Sequence, residues 1–195
     1  MDLFSRYLDS IAEMNNLGDG SAQVRWYFYP GMLQDSPDKW WADFGFRHAS
    51  HEGIDICFYN SGKGVRALEP GARIPALDDG VVLNISNDLL GQSIAVSYNP
   101  GLSQNSILSK NDSVQLTPIL VYSHLEPCPE LAQGDRVSKG QRIATIFDTR
   151  KKKSKLLSHL HLSCLLIFAG FLSDELDWSL FADRGQVTYI NPVFL

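Results

Sequence analysis

No stretch of the 195 residues approaches the roughly 18 consecutive apolar residues that a membrane-spanning helix needs. The longest apolar run, Leu160 to Leu172, is broken by His161, Ser163 and Gly170. A basic excess is missing too. Lys and Arg number 17 against 22 Asp and Glu, a formal net charge of -5, which gives no reason to expect a nucleic-acid binder, since these usually show a basic face. The opening MDLFSRYLDSIAEMNN has acids and no apolar core, so no export signal peptide is visible. Cysteine is scarce: Cys57, Cys128 and Cys164 are odd in number and lack CxxC spacing, against both a disulfide framework and a thiolate zinc site. Cys57 and Cys164 fall within apolar runs and read as buried thiols. Histidine, at five residues, is also scarce.

What is present is enough apolar residue, 44% of the chain, to build a core. Leu3, Phe4, Tyr7, Leu8, Ile11 and Met14 recur at helical spacing and predict an amphipathic N-terminal helix ending near Asn15, Asn16 and Gly18. Residues 19–50 look irregular and hold a dense aromatic group: Trp26, Tyr27, Phe28, Tyr29, Trp40, Trp41, Phe44 and Phe46. That group can cover one face of a core or offer a surface on which sugars stack. From Gly53 onward, short runs (GIDICFY, RIPAL, GVVLNIS, QSIAVSY, PILVYSHL, RVSKGQRIATIF, HLHLSCLLIF) alternate with turn signals. This texture predicts a mainly β fold, an antiparallel β-sandwich or barrel-like core. Asn99 to Thr117 is polar and reads as a long loop. Leu176, Leu180 and Phe181 predict a short C-terminal helix after Ser173. Two units are expected: residues 1–43, the helix with the aromatic-rich segment, and residues 44–195, the β domain.

Three places carry chemistry. His51-Glu52-Gly53-Ile54-Asp55 sets an imidazole and a carboxylate four residues apart, both good zinc ligands, with Gly53 permitting a sharp turn between them. His159-Leu160-His161 lies in a strand-like run, where residues i and i+2 share a face, so the two imidazoles project together. His124 ends PILVYSHL and, taken alone, reads as a half-buried histidine. Four of the five histidines fall in these three places. Two imidazoles and one carboxylate form a three-ligand set that leaves a fourth zinc position for water, as catalytic sites do. The remaining two histidines can then hydrogen-bond the water or a substrate oxyanion.

The order HEGID, DDGVV, YSHL, GDRVSKGQRIA, HLH resembles the lysostaphin/LytM-type zinc metalloendopeptidases, whose pattern runs HxGxD, a GxV strand turn, YxHL, GxxVxxGQxI and HLHFE. The flanking FGFR (Phe44 to Arg47) and NPVFL (Asn191 to Leu195) are similar too, so the resemblance spans roughly residues 44–195. It implies the duplicated-hybrid-motif fold, with a groove over one sheet. It implies one Zn2+ held by His51, Asp55 and His161, with His124 and His159 as catalytic histidines. It further implies hydrolysis of amide bonds in peptide crosslinks or stems of bacterial peptidoglycan, hence a periplasmic or extracellular location. A monomer is expected. The chain departs from the pattern where Leu162 and Ser163 follow HLH and where DTRKKKSKLLS replaces a Gly-rich approach. Both departures bear on groove walls, and so on substrate preference.

Several residues read more plainly. Glu52 lacks the second histidine that would make it the base of an HExxH site, and His48 reads as a solvated loop residue. The run Arg150 to Lys155 reads as a solvated loop, with attraction of an anionic polymer as the alternative. Two other functions compete: a catalytically silent regulator on the same fold that activates another hydrolase, and a histidine phosphocarrier. The filled five-residue set favours the enzyme, and a phosphocarrier has no need of Asp55.

Overall fold

The computed structural model describes residues 2–18, 23–98, 116–168, 171 and 173–195. Most of the polar run expected to form a loop, residues 99–115, lies outside them. The predicted N-terminal helix is α1, Leu3–Met14, capped by Asp2, whose carboxylate accepts from the Ser5 N–H. Its buried stripe is Phe4, Tyr7, Leu8, Ile11 and Ala12. Asn15 ends the helix and docks it. Its amide donates to the Arg73 carbonyl at 2.8 Å, and its Oδ1 accepts from the Arg73 N–H at 2.7 Å.

The strands are β1 (Arg25–Tyr27), β2 (Ile54–Ile56), β3 (Phe58–Asn60), β4 (Val65–Ala67), β5 (Arg73–Pro75), β6 (Gly80–Asn87) and β7 (Gln92–Ser97). They continue with β8 (Leu116–Pro127), β9 (Arg136–Val137), β10 (Arg142–Ile146), β11 (Leu160–Phe168) and β12 (Val187–Ile190). The fold is mainly β, and the pairings are antiparallel. Strands β1-β3-β4 form a small sheet, and the other nine form a large one ordered β12-β11-β8-β7-β6-β9, with β2 on β11 and β10 joining β8 to β5. The run GIDICFY, which reads as one strand, is divided at Cys57: β2 pairs in the large sheet and β3 in the small one. The run RVSKGQRIATIF is likewise divided, by a turn at Ser138–Gln141 in which Gly140 takes φ 78°. The predicted C-terminal helix is α2, Trp178–Phe181, capped by Asp177 and preceded by a 3-10 turn at Ser173–Glu175.

Both faces of the large sheet are used. Ile54, Ile56, Ile94, Leu120, Tyr122, Leu160 and Leu162 join the α1 stripe in the main core. Along β11 the alternate residues turn the other way. Leu165 and Ile167 pack with Ile119, Val121, Leu180 and Phe181 in a second core under α2. His161 belongs to that second face by the strand's period of two. The candidate residues therefore lie on this face, beyond the end of the α2 core.

Candidate metal centre

Register brings the first elements together. Asp55 stands opposite His161 in the β2–β11 pairing. Its neighbours Ile54 and Ile56 are in the main core, so the carboxylate is turned to the other face. Gly53 explains how β2 comes so close. The chain does bend at Glu52–Gly53, but Gly53 is absent from the residues with positive φ, so the bend alone does not require glycine. A Cβ there would lie 2.3 Å from the Leu162 carbonyl oxygen and 2.6 Å from Ser163 Oγ. Only a residue without a side chain admits this approach.

His51 is placed by the aromatic-rich segment. Its N–H donates to the Ser36 carbonyl and its carbonyl accepts from the Asp35 N–H. Nδ1 donates to the Leu33 carbonyl at 3.1 Å, which leaves the Nε2 lone pair free. His161 Nε2 lies 2.9 Å from Ser163 Oγ; with that N–H donated to the hydroxyl, Nδ1 is the free nitrogen. The free atoms converge. His51 Nε2 is 3.1 Å from Asp55 Oδ1 and 3.1 Å from His161 Nδ1, and His161 Nδ1 is 2.9 Å from Asp55 Oδ1.

These three residues, all buried, are the group among the described residues with the spacing to hold a metal ion. The donor set fits zinc. Tetrahedral zinc with bonds of about 2.0–2.1 Å sets its ligand atoms about 3.3 Å apart, close to this triangle. Three acceptor atoms facing one another in a buried place also call for a cation among them. Burial alone would raise the Asp55 carboxyl. The positive charge that the facing imidazoles can take up, that of His51 and then His159 foremost, outweighs it and holds the carboxyl well below the usual range. Burial pulls His161 down to about 4, against the opposing pull of Asp55, so its imidazole is neutral and can act as a ligand.

His159 shares the His161 face, as the HLH spacing predicts. Its Nδ1 donates to the Leu157 carbonyl at 2.7 Å, and Nε2 lies 3.5 Å from Asp55 Oδ1. His124 arrives by a different device. Between Gln92/Ile94 on β7 and Leu125/Tyr122 on β8 the register slips by one residue, a β-bulge. His124 takes φ 66° there, a left-handed conformation that costs an ordinary residue roughly 1–2 kcal/mol. The bulge puts His124 on the site face although Tyr122, two residues earlier, is in the main core. The rings of His124 and His159 are 5.0 Å apart, and those of His124 and His161 5.8 Å. All five expected site residues are thus brought together. His48 is exposed and Glu52 half-buried, both outside the metal-competent group.

Four partners were not among the expected residues. Asp88 accepts from the His124 N–H at 2.7 Å and faces its Nδ1 at 3.2 Å. It also accepts from the Leu90 and Gly91 N–H groups and the Ser93 hydroxyl. Burial raises the Asp88 carboxyl, but these bonds and the His124 charge more than reverse that and hold it well below the usual range. Burial also lowers His124, against the pull of Asp88. Trp40 donates from Nε1 to Asp55 Oδ2 at 2.6 Å and sets its ring edge-on to His159 at 5.2 Å. Arg47 reaches Asp55 Oδ2 at 3.5 Å. Trp178 stands against His161 and His124 at 5.6 and 6.3 Å. The sequence signal for Asp88 was a turn (NDLLG), and for Trp40 only its aromatic neighbours.

The aromatic group does more than one thing. Trp40, with Met32 and Cys57, is core. Tyr29, Trp41 and Phe44 join Trp40, Phe58, Lys155 and Leu157 around an open pocket of about 420 Å³ next to His159. In the basic run, Arg150 pairs with Asp148 and Lys151 with Glu126, while Lys155 borders the pocket.

No family model matches the sequence, and no curated protein matches it. Solved structures similar to this chain include the catalytic domain of the antimicrobial peptidase lysostaphin from Staphylococcus simulans. It is 17% identical with a TM-score of 0.45, covering 89% of this chain and 91% of that one. A mutant catalytic domain of the prophage-encoded M23 protein EnpA from Enterococcus faecalis is 18% identical with a TM-score of 0.45, covering 86% and 93%. A zinc-containing peptidase from Vibrio cholerae is 20% identical with a TM-score of 0.42, covering 76% of this chain and 35% of its own. Likenesses this distant assign no activity to this chain.

Proposed function

We propose that the chain is a zinc-dependent endopeptidase that hydrolyses amide bonds in the peptide crosslinks or stems of bacterial peptidoglycan. The observation that carries the reading is the convergence of His51 Nε2, Asp55 Oδ1 and His161 Nδ1 within 3.1 Å of one another, with two further imidazoles beside them. His51, Asp55 and His161 would hold the ion. When bound, zinc supplies Lewis-acid polarisation of a carbonyl and acidification of a water.

The other residues act around that centre. Asp88 accepts a hydrogen bond from the Nδ1–H of His124, which fixes the tautomer and leaves Nε2 as the basic atom. Nε2 accepts a proton from the attacking water, the Asp88 carboxylate stabilises the imidazolium that results, and that proton passes to the leaving amine as the C–N bond breaks. His159, tied at Nδ1 to the Leu157 carbonyl, presents Nε2 on the same side; when Nε2 is protonated as well, the imidazolium donates to the developing oxyanion. Burial of all these groups excludes water and strengthens each interaction.

The substrate follows from the sequence motifs, and with it a periplasmic or extracellular site of action. No helix among the described residues is long and apolar enough to cross a membrane. The test is release of peptide fragments from purified peptidoglycan by wild type and His124→Ala. Wild-type hydrolysis that the variant loses is expected; intact peptidoglycan after incubation with zinc-loaded wild type would sink the substrate assignment.

A further inference from the structure

We propose that Trp40 is a positioning residue for the metal centre: its indole N–H holds Asp55 Oδ2 away from the ion, so that Asp55 can ligate through Oδ1 alone. The inference rests on the zinc reading of the site. Trp40 Nε1 donates to Asp55 Oδ2 at 2.6 Å, while Oδ1 faces His51 and His161. The two oxygens are thus divided between a fixed donor and the open centre. A carboxylate free to rotate can offer both oxygens to a cation; one tied at Oδ2 cannot, and it also loses no rotational freedom on binding.

The clamp is built. Trp40 is buried in its own small core with Met32 and Cys57, packed by Phe58 and Leu156. Its ring stands edge-on to Phe58 at 5.7 Å and to His159 at 5.2 Å. One side chain therefore fixes a ligand and backs a catalytic candidate. Arg47 completes it. Arg47 Nε donates to the Asp38 carbonyl at 3.0 Å and Nη2 to the Gly31 carbonyl at 2.9 Å, the guanidinium lies over the Trp41 ring at 4.4 Å, and the same Nη2 stands 3.5 Å from Asp55 Oδ2. Asp55 is 2% exposed, so its second oxygen has no solvent to satisfy it if the indole is removed.

The experiment compares wild type with Trp40→Phe, which keeps an aromatic ring and deletes the donor. Replacement of residue 40 by benzothienylalanine, in which sulfur stands for the N–H, serves as a closer isostere. Zinc affinity is measured by competition with a chelator, the melting temperature on metal-free protein, and the visible absorption on the cobalt-loaded forms. The expected result is a zinc affinity about 10–100-fold lower in both variants, together with a lower metal-free melting temperature, because the buried Asp55 Oδ2 loses its donor in both. Weaker cobalt absorption should accompany it, as Asp55 becomes bidentate and coordination expands. Zinc affinity within twofold of wild type in the isostere overturns the proposal. So does a cobalt spectrum unchanged from wild type in both variants, since the ligand geometry would then not depend on the indole N–H. Failure of wild type itself to bind zinc would overturn the metal reading as a whole, a result distinct from any change confined to the variants.

Discussion

Gly53→Ala is the substitution whose consequence the structure sets most tightly. The new Cβ would lie 2.3 Å from the Leu162 carbonyl oxygen, 2.6 Å from Ser163 Oγ and 2.9 Å from the Leu162 carbonyl carbon. The Ser163 hydroxyl can rotate aside, but the carbonyl is strand backbone. Reaching ordinary contact requires the β2 end and β11 to part by about 1 Å, an overpacking strain on the order of 1–3 kcal/mol. The same seam holds Asp55 Oδ1 2.9 Å from His161 Nδ1, so the ligand triangle opens with it. A misplacement of about 1 Å can cost roughly 100-fold in catalysis. Chemical denaturation of the metal-free protein, chelator competition for zinc and hydrolysis rates read the three effects separately. Gly140→Ala is the control. Its φ is 78° with nothing within 4 Å of the added Cβ, so it should cost roughly 1–2 kcal/mol through conformation alone and leave zinc affinity intact. A Gly53→Ala protein within about 0.5 kcal/mol of wild type, with unchanged zinc affinity, would refute the close-approach reasoning.

Other expectations follow from the same structure. Asp88→Asn replaces the acceptor that fixes the His124 tautomer; kcat should fall by roughly 100-fold or more while zinc content is kept, and loss of zinc instead would place Asp88 in the metal site. Burial pushes the Cys57 and Cys164 thiols up to about 12, so neither should react with a thiol reagent at pH 8 until the protein is unfolded. Labelling of either in the native state, followed by peptide mapping, would contradict the burial. Ile11→Ala should cost about 2–4 kcal/mol in denaturant unfolding, because Ile11 is fully buried between α1 and the large sheet. A near-neutral change would mean that the helix is not part of the cooperative core. Lys155→Ala should raise KM for an anionic substrate at low salt and have less effect at high salt, and equal KM at low salt removes the residue from substrate attraction.

The residues that could be read in the sequence are those whose geometry is local. HLH puts two imidazoles on one face because a strand has a period of two, and His51 with Asp55 spans one tight connection. The α1 stripe was legible for the same reason, as a helical period uninterrupted over Leu3–Met14. What escaped was non-local. His124 itself was expected at the site from the order of the motifs, but the bulge that carries it there lies outside period-two reasoning; a regular β8 would have left it on the core side with Tyr122. Asp88 is 36 residues from His124, and its turn signal hides its second use as the partner of that histidine. Trp40 and Arg47 sit in a segment without periodicity, whose path depends on contacts with β2, β3 and His159. The division of GIDICFY between two sheets is equally invisible, because both halves have the same apolar texture.

Metal analysis of purified wild type, His51→Ala and His124→Ala after equilibration with micromolar zinc, paired with peptidoglycan digestion, bears on the centre most directly. The geometry predicts stoichiometric zinc and hydrolysis in wild type, loss of both in His51→Ala, and retained zinc without hydrolysis in His124→Ala. A wild-type protein that takes up no zinc, or a His51→Ala protein that holds it as tightly as wild type, would contradict the site described.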